Sequence, residues 1–252
     1  MDANDAMERS RREFLHTAWA AAASVALAGM PRAARAAAGA DARGLKIGVI
    51  GSGRIGGTLG VLWVKAGHEV LFSARDLDWV KKLVAGLGPR ARAGTPREAA
   101  VFGDVVLISV PYGALPQVGR DLAGDFRDKV VLDTCNPIPR RDGDVAVAAQ
   151  AKGSGVASAE LLPGARLVRA FNTVGAAALR SEAHRAGERV AVPLAGDDAS
   201  ALQIAARMVE EAGFEPVVVG SLVRAKEFDP GTAVFGKALT ARELRRGLGL
   251  GS

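Results

Sequence analysis

The chain has 252 residues, 49% hydrophobic and 24% charged, enough apolar content for a buried globular core. Its net charge of +6 comes from arginines scattered among acidic residues, and only 5% of the residues are aromatic. Without a dense basic run or a set of stacking aromatics, the composition argues against a nucleic-acid partner.

The first forty residues are predicted to be a twin-arginine signal peptide and linker outside the fold. Ser10-Arg11-Arg12-Glu13-Phe14-Leu15 resembles the twin-arginine signal, and Ala34-Arg35-Ala36 places small residues where a signal peptidase cleaves. The uncharged run from Thr17 to Met30 is shorter than the ~20 residues of a permanent membrane helix. We therefore expect export by the twin-arginine machinery to the periplasm or the exterior, without a stable membrane span. The alternative is an uncleaved helix or a disordered tail.

A glycine-rich turn between a strand and a helix comes next. The apolar run Ile47–Ile50 enters Gly51-Ser52-Gly53-Arg54-Ile55-Gly56, and a helical pattern follows up to Gly67. In a dinucleotide-binding turn the first glycine permits the tight bend, the second the approach of a pyrophosphate and the third close helix packing. The free N–H groups of the helix N-terminus then face the phosphates. The alternative is a structural strand–turn–helix without a ligand.

The end of the second strand indicates which dinucleotide binds. Strand Glu69–Ser73 runs into Ala74-Arg75-Asp76. An arginine at this place accommodates the 2′-phosphate of NADP, whereas an acidic residue accepts hydrogen bonds from the ribose of NAD. Arg75, with help from the Ser73 hydroxyl, favours NADP over NAD. Two alternatives stay open: Asp76 takes the ribose role, or both charges are ordinary surface residues.

The remaining pattern alternates strands and helices. A helix is expected around residues 79–87, another behind the capping box Thr95–Glu98, buried strands at 105–108 and 130–132, and a flexible, partly helical connection at 143–155. Strands near 167–168, 190–194 and 216–219, a helix at 199–211 and a capping box at 240–243 follow. This predicts an α/β fold, a doubly wound, mostly parallel Rossmann sheet with a small C-terminal α/β extension. Residues 44–155 would form the dinucleotide-binding domain, and 156–252 would complete the sheet and the substrate cleft.

These segments together resemble the NADP-dependent, coenzyme F420-type oxidoreductase family, which shares its nucleotide-binding half with eukaryotic metalloreductases. The resemblance runs from about Leu45 to Leu248 and rests on the glycine turn, Gly67-His-Glu-Val70, Ser73-Ala-Arg75, Val110-Pro111, Asp133-Thr-Cys-Asn-Pro137, Ala170-Phe-Asn-Thr173 and Ala195-Gly-Asp-Asp198. It implies hydride transfer at a nicotinamide. Ser52 and Arg75 would lie near the adenosine phosphates, Arg54 and Ile55 over the pyrophosphate, and Val110 and Pro111 beside the nicotinamide ribose.

The sequence shows no catalytic side chain, no Ser/His/Asp arrangement and no carboxylate pair, as expected when the cofactor carries the chemistry. The lone Cys135 suggests a buried, inert thiol, and the histidines lack ligand spacing, so no metal site is expected. Asn136, Asn172 and Thr173 follow strand ends, where they would orient a nicotinamide or substrate carbonyl, or else only shape turns.

We therefore predict an NADPH-dependent oxidoreductase that transfers hydride between the nicotinamide and a small flavin-like, deazaflavin or other electron acceptor. A non-catalytic NADP-binding carrier or assembly factor is the alternative. The loop-like segment 228–240 either covers the cleft or contacts a second subunit, so a homo-oligomer is compatible with the sequence.

Overall fold

The structure is a computed structural model that describes residues 44–251. Residues 45–251 belong to one compact unit. The predicted export signal lies outside the described residues and stays a prediction. Within residues 44–251, no helix has both the length and the apolar character that crossing a membrane requires.

One sheet of eight strands organises the molecule. In chain order the strands are β1 (Lys46–Ile50), β2 (Glu69–Ser73), β3 (Ala91–Gly94), β4 (Val105–Ile108), β5 (Val130–Asp133), β6 (Arg166–Arg169), β7 (Ala191–Gly196) and β8 (Glu215–Gly220). They lie in the order β3-β2-β1-β4-β5-β6-β7-β8, and every pair is parallel except β6–β7. This confirms the predicted doubly wound, mostly parallel α/β fold. The strand order reverses between β1 and β4, and ligands of such sheets bind at that switch point.

Helices cover both faces of the sheet. The structure contains α1 (Arg54–Lys65), α2 (Leu77–Val84), α3 (Pro96–Phe102), α4 (Leu115–Phe126), α5 (Pro139–Asp142), α6 (Asp144–Lys152), α7 (Ser154–Leu161), α8 (Ala176–Ser181), α9 (Ala199–Glu211) and α10 (Ala241–Gly247), with 3-10 turns at Tyr112–Ala114 and Leu222–Phe228. Both predicted capping boxes are present, because Thr95 and Thr240 each exchange hydrogen bonds with the glutamate three residues on. The helix expected at 199–211 has those bounds.

Two expectations need correction. The connection expected at 143–155 consists of α6 and the start of α7, with glycines at positive φ, Gly143 and Gly153, at the two ends of α6. Its helical period is hard to recognise because Ala146 and Ala149 are buried while Val147 is exposed beside them. The edge strand β3 was missed, since its four residues Ala-Arg-Ala-Gly carry no apolar run.

The sheet has an apolar core on each face. On the side of α1 and α9, the buried rings of Trp63, Phe171 and Phe214 meet edge to face, with centroids 6.1 and 6.2 Å apart. On the side of α3 and α4, Leu122 and Phe126 belong to a second buried cluster. Strands β1, β4 and β5 are buried along nearly their whole length, so the loops at their carboxyl ends start from a rigid base.

Candidate functional site

The glycine turn owes its shape to close backbone contacts. Gly51 has φ of +97°, and a Cβ there would lie 2.2 Å from the carbonyl oxygen of Ser109. A Cβ on Gly56 would lie 2.3 Å from the carbonyl oxygen of Gly51. Neither position therefore admits a side chain. Gly53 is different, because a Cβ there would meet nothing within 4 Å, and the space beside it opens into a cleft.

The amides at this turn divide into two groups. Those of Gly51 and Ser52 donate to the carbonyl oxygen of Ser73, at 2.9 and 2.8 Å, and so tie the turn to β2. Helix α1 begins at Arg54, and its first internal bond runs from the Gly57 amide to the Gly53 carbonyl. The amides of residues 54–56 therefore lack an intrahelical partner, and no side chain caps this helix end. Together with the positive end of the helix dipole, they suit a phosphate group.

A cleft of about 980 Å³ adjoins the turn, at the upper end of the size range of small-molecule sites. Its walls come from four successive strand ends at the switch point. They include Gly51–Gly53 after β1, Ala74 and Arg75 after β2, Ser109–Pro111 after β4, and Arg141 and Asp142 after β5. The first residues of α3 and the inner face of α4 complete it. The cleft thus runs along the sheet edge, as an extended ligand requires.

Most of the predicted cofactor residues meet at this cleft. Gly51, Ser52, Gly53, Arg75, Val110 and Pro111 line it, while Arg54, Ile55 and Gly56 form the first turn of α1 beside it. The Ser52 hydroxyl is buried and has no hydrogen-bond partner among the described residues, and the Ser52 carbonyl accepts the Trp79 indole N–H at 3.0 Å. An open space beside Gly53, unpaired amides and an unsatisfied hydroxyl are features that a bound dinucleotide would fit.

The three side chains that the sequence offers for choosing between NADP and NAD, at the end of β2 and in the loop after it, have different surroundings. Arg75 is exposed at the cleft, and among residues 44–251 its guanidinium has no hydrogen bond or ion pair. The Asp76 carboxylate caps α2, accepting the amides of Asp78 and Trp79, both at 3.0 Å. The Ser73 hydroxyl is buried and donates to the carbonyl oxygen of Val49 at 2.8 Å. The structure therefore does not bring this hydroxyl to the cleft, where the sequence placed it beside a 2′-phosphate: the hydroxyl joins β2 to β1, and of the three side chains only that of Arg75 lines the cleft.

The predicted substrate residues lie in an internal network rather than along the cleft. The Asn136 amide donates to the carbonyl oxygen of Asn172 at 2.8 Å, and the Asn172 amide donates to that of Phe228 at 3.1 Å. Thr173 is 4% exposed, and its carbonyl accepts the Gly236 amide. None of the three lines the cleft. Their expected contact with a nicotinamide or substrate carbonyl stays a prediction.

A fully buried arginine at the end of β6 holds this network, and sequence reasoning missed it. Arg169 donates to the Asp133 carboxylate at 2.9 Å and to the Cys135 carbonyl at 2.7 Å, and it lies 3.4 Å from the Asp229 carboxylate. Burial alone would lower the pKa of Arg169, but the two carboxylates outweigh burial and raise it. The arginine therefore stays charged. An aspartate ending an otherwise apolar strand, Asp133, was the available sequence signal for a buried ionic partner.

Arg141 and Asp142 at the far wall of the cleft were also missed. The guanidinium of Arg141 donates two hydrogen bonds of 2.8 Å to the Asp142 carboxylate and one of 2.9 Å to the Asn136 carbonyl oxygen. Burial would raise the pKa of Asp142, but hydrogen bonds from Arg141 and the amides of Ile138 and Gly113 hold it below its usual value. The pair is thus ionised and rigid. The short helix α5 that carries it gave no periodic signal.

The thiol of Cys135 lies buried beside this network. Burial, reinforced by the Asp133 charge, raises the pKa of the Cys135 thiol well above its usual value, which favours the thiol over the thiolate. The expected burial of this cysteine is confirmed. Across the described part of the chain, no group of three or more potential ligands is placed to hold a metal ion.

Fold and cleft together define a Rossmann-type dinucleotide-binding protein. Residues 46–137 match the family described as NADP oxidoreductase coenzyme F420-dependent. The F420-dependent NADP reductase of Methanothermobacter thermautotrophicus is 31% identical over 196 residues, which cover 72% of this chain and 84% of that protein. The chain belongs to this family.

Two further likenesses extend the comparison. The metalloreductase STEAP3 of Rattus norvegicus is 31% identical over 188 residues, 73% of this chain, and the match spans 36% of the length of that relative. The solved structure of a hypothetical protein from Sinorhizobium meliloti aligns with a TM-score of 0.68 and 25% identity, over 79% of this chain and 97% of that one. A putative F420-dependent NADP reductase from Arthrobacter, with a TM-score of 0.60 and 21% identity over 73% of this chain and 88% of that one, shares the fold.

Proposed function

We propose that this protein transfers hydride between the nicotinamide of NADPH and a small flavin-like, deazaflavin or related acceptor. The cleft that joins the unpaired amides of α1, the free Arg75 and the loop after β4 carries the proposal. The nicotinamide supplies the hydride when the cofactor is bound, and the acceptor takes that hydride together with a proton from solvent. The chain's own residues bind, orient and shield the two rings. Family membership supports this reductase rather than a non-catalytic carrier.

The preference for NADP over NAD rests on the loop after β2. Arg75 offers a planar set of donors with no competing partner in the described residues, which suits a phosphate dianion. Asp76 is the residue that would bind the ribose of NAD, but its carboxylate is engaged at the N-terminus of α2. These two placements favour the cofactor with a 2′-phosphate.

Comparative binding of NADPH and NADH tests this preference. A charge-assisted hydrogen bond contributes about 1.5–3 kcal/mol, so Arg75→Ala should weaken NADPH binding about tenfold to a hundredfold and leave NADH binding nearly unchanged. Arg180→Ala is the matched control, because Arg180 is an exposed arginine on α8 away from the cleft. Equal loss for both nucleotides, or no loss for NADPH, would contradict the assignment.

Turnover tests the reductase itself. NADPH oxidation should be followed with F420, FMN, quinones and ferric chelates as acceptors. Consumption with at least one ring acceptor is the expected result. Confirmed NADPH binding without oxidation by any acceptor would support the carrier instead.

We also propose that the protein is exported in folded form with its cofactor, and that the electron acceptor is met outside the cytoplasm. The motif around Arg11 and Arg12 supports this, because the twin-arginine route accepts folded proteins. Replacing both arginines by lysine should retain the protein inside the cell, as read from periplasmic and cytoplasmic fractions. Unchanged distribution of this variant would reject the export proposal.

A further inference from the structure

The order of strand ends along the cleft separates a cofactor end from an acceptor end. Arg75 follows β2, the glycine turn follows β1, Val110 follows β4, and Arg141 lies in the segment after β5. Neighbouring strands are about 4.8 Å apart, so the loops after β2 and β5 start about 14 Å from one another. A dinucleotide whose 2′-phosphate meets Arg75 and whose diphosphate meets α1 therefore has its nicotinamide towards the loops after β4 and β5.

Arg141 is held rigidly at that second end. Two hydrogen bonds join its Nε and Nη2 to the Asp142 carboxylate, whose side chain is 1% exposed, and Nη2 also donates to the Asn136 carbonyl. The Asp142 carboxylate in turn accepts the Ile138 amide at 3.0 Å. The side chain of Arg141 is still 48% exposed at the cleft wall. Its Nη1 donors have no partner among residues 44–251.

The charge of this guanidinium is already compensated. Because a buried carboxylate faces Arg141 through a planar two-bond contact, the pair is close to neutral as seen from the cleft. A compensated arginine has little affinity for a further anion but keeps two oriented N–H donors. Such donors suit a carbonyl oxygen of a planar ring, as in the dione edge of a flavin or deazaflavin.

We infer that Arg141 is a specificity-determining residue, and that its Nη1 donors bind a ring carbonyl of the electron acceptor. This inference rests on the proposed hydride transfer and adds to it a residue that selects the acceptor. The position of Arg141 beside the loop after β4 places the bound ring against the nicotinamide end of the cleft.

Binding of riboflavin and FMN to the NADP⁺-saturated protein, measured by flavin fluorescence, tests the inference. Arg141→Ala should weaken the binding of both flavins about tenfold to a hundredfold and leave NADPH affinity within about twofold. Arg141→Lys should recover only part of the loss, because an ammonium cannot form the planar contact with Asp142. Arg140→Ala removes the same charge from the same short helix outside the cleft lining, and it should change neither affinity.

The comparison of the two flavins identifies the contact. Riboflavin has no phosphate, so a loss confined to FMN would show that Arg141 binds the phosphate, and it would overturn the ring-carbonyl assignment. An equal loss of NADPH affinity, no loss for either flavin, or no riboflavin binding by the wild type would also overturn it. Failure of the proposed hydride transfer is distinguishable from these outcomes. It would show as a lack of NADPH oxidation in the turnover assay, whereas the flavin affinities are measured by binding alone.

Discussion

Removal of the buried guanidinium of Arg169 should destabilise the fold far more than removal of any surface arginine. Both Arg169 and Asp133 have side chains that are 0% exposed, and their contact is 2.9 Å. Arg169→Met retains much of the side-chain volume but leaves the Asp133 carboxylate without its cation. Breaking a buried ion pair in this way costs about 3–5 kcal/mol. For a domain of this size, that lowers the melting temperature by about 6–20 °C.

Urea unfolding followed by circular dichroism measures this loss, with Arg97→Met as the control. Arg97 pairs with Asp125 at 2.7 Å, but its side chain is 62% exposed, so its loss should cost less than about 1 kcal/mol. Adding Asp133→Asn to Arg169→Met should restore part of the stability, because the orphaned charge disappears while an oxygen stays available to the Cys135 amide. A cost below about 1 kcal/mol for Arg169→Met, or a double variant less stable than it, would refute the reasoning.

Two further predictions concern the turn and acid stability. Gly53→Ala should keep the melting temperature nearly unchanged but weaken NADPH binding, since the new methyl group enters the open cleft. Gly56→Ala should lower the melting temperature, because its methyl group would clash with the Gly51 carbonyl oxygen. Hydrogen bonds from Arg166, Ser200 and the Ala201 amide hold the pKa of Asp198 far below its usual value. Its stabilisation is therefore complete above the unfolded pKa of about 3.9 and is lost as the pH falls through the lower folded value.

Asp198 is also the N-cap residue of α9, where its carboxylate accepts the Ala201 amide. Asp198→Asn removes the charge but keeps a capping side chain, because asparagine also caps helices well. Unfolding monitored between pH 5 and 2 should show a shallower loss of stability for the variant. If the variant and the wild type lost unfolding free energy equally steeply with falling pH, Asp198 would not be the source of the acid sensitivity. For the turn, equal effects of Gly53→Ala and Gly56→Ala on thermal stability would contradict the assigned geometry.

Local patterns predicted most of the architecture, although not the edge strand β3. The caps at Thr95 and Thr240 depend on contacts between residues close in sequence, and the apolar strands β4 and β5 reflect uniform burial, so spacing alone reveals them. The glycine turn likewise carries its own backbone requirement. The strand order from β1 to β5 then follows from the short right-handed connections that such units allow.

The far wall of the cleft and the polar interior depended on tertiary structure. Arg169 meets Asp133 and Asp229 across 36 and 60 residues of chain, and no short-range pattern encodes a partner so distant. The Ser73 hydroxyl turned inward and the Asp76 carboxylate became a helix cap, because the exact end of β2 decides which side chain faces the cleft. Sequence therefore determined the fold and one half of the nucleotide site. Packing across the sheet decided the other half, since the choice between buried and accessible polar groups is made by neighbours that only the folded chain brings together.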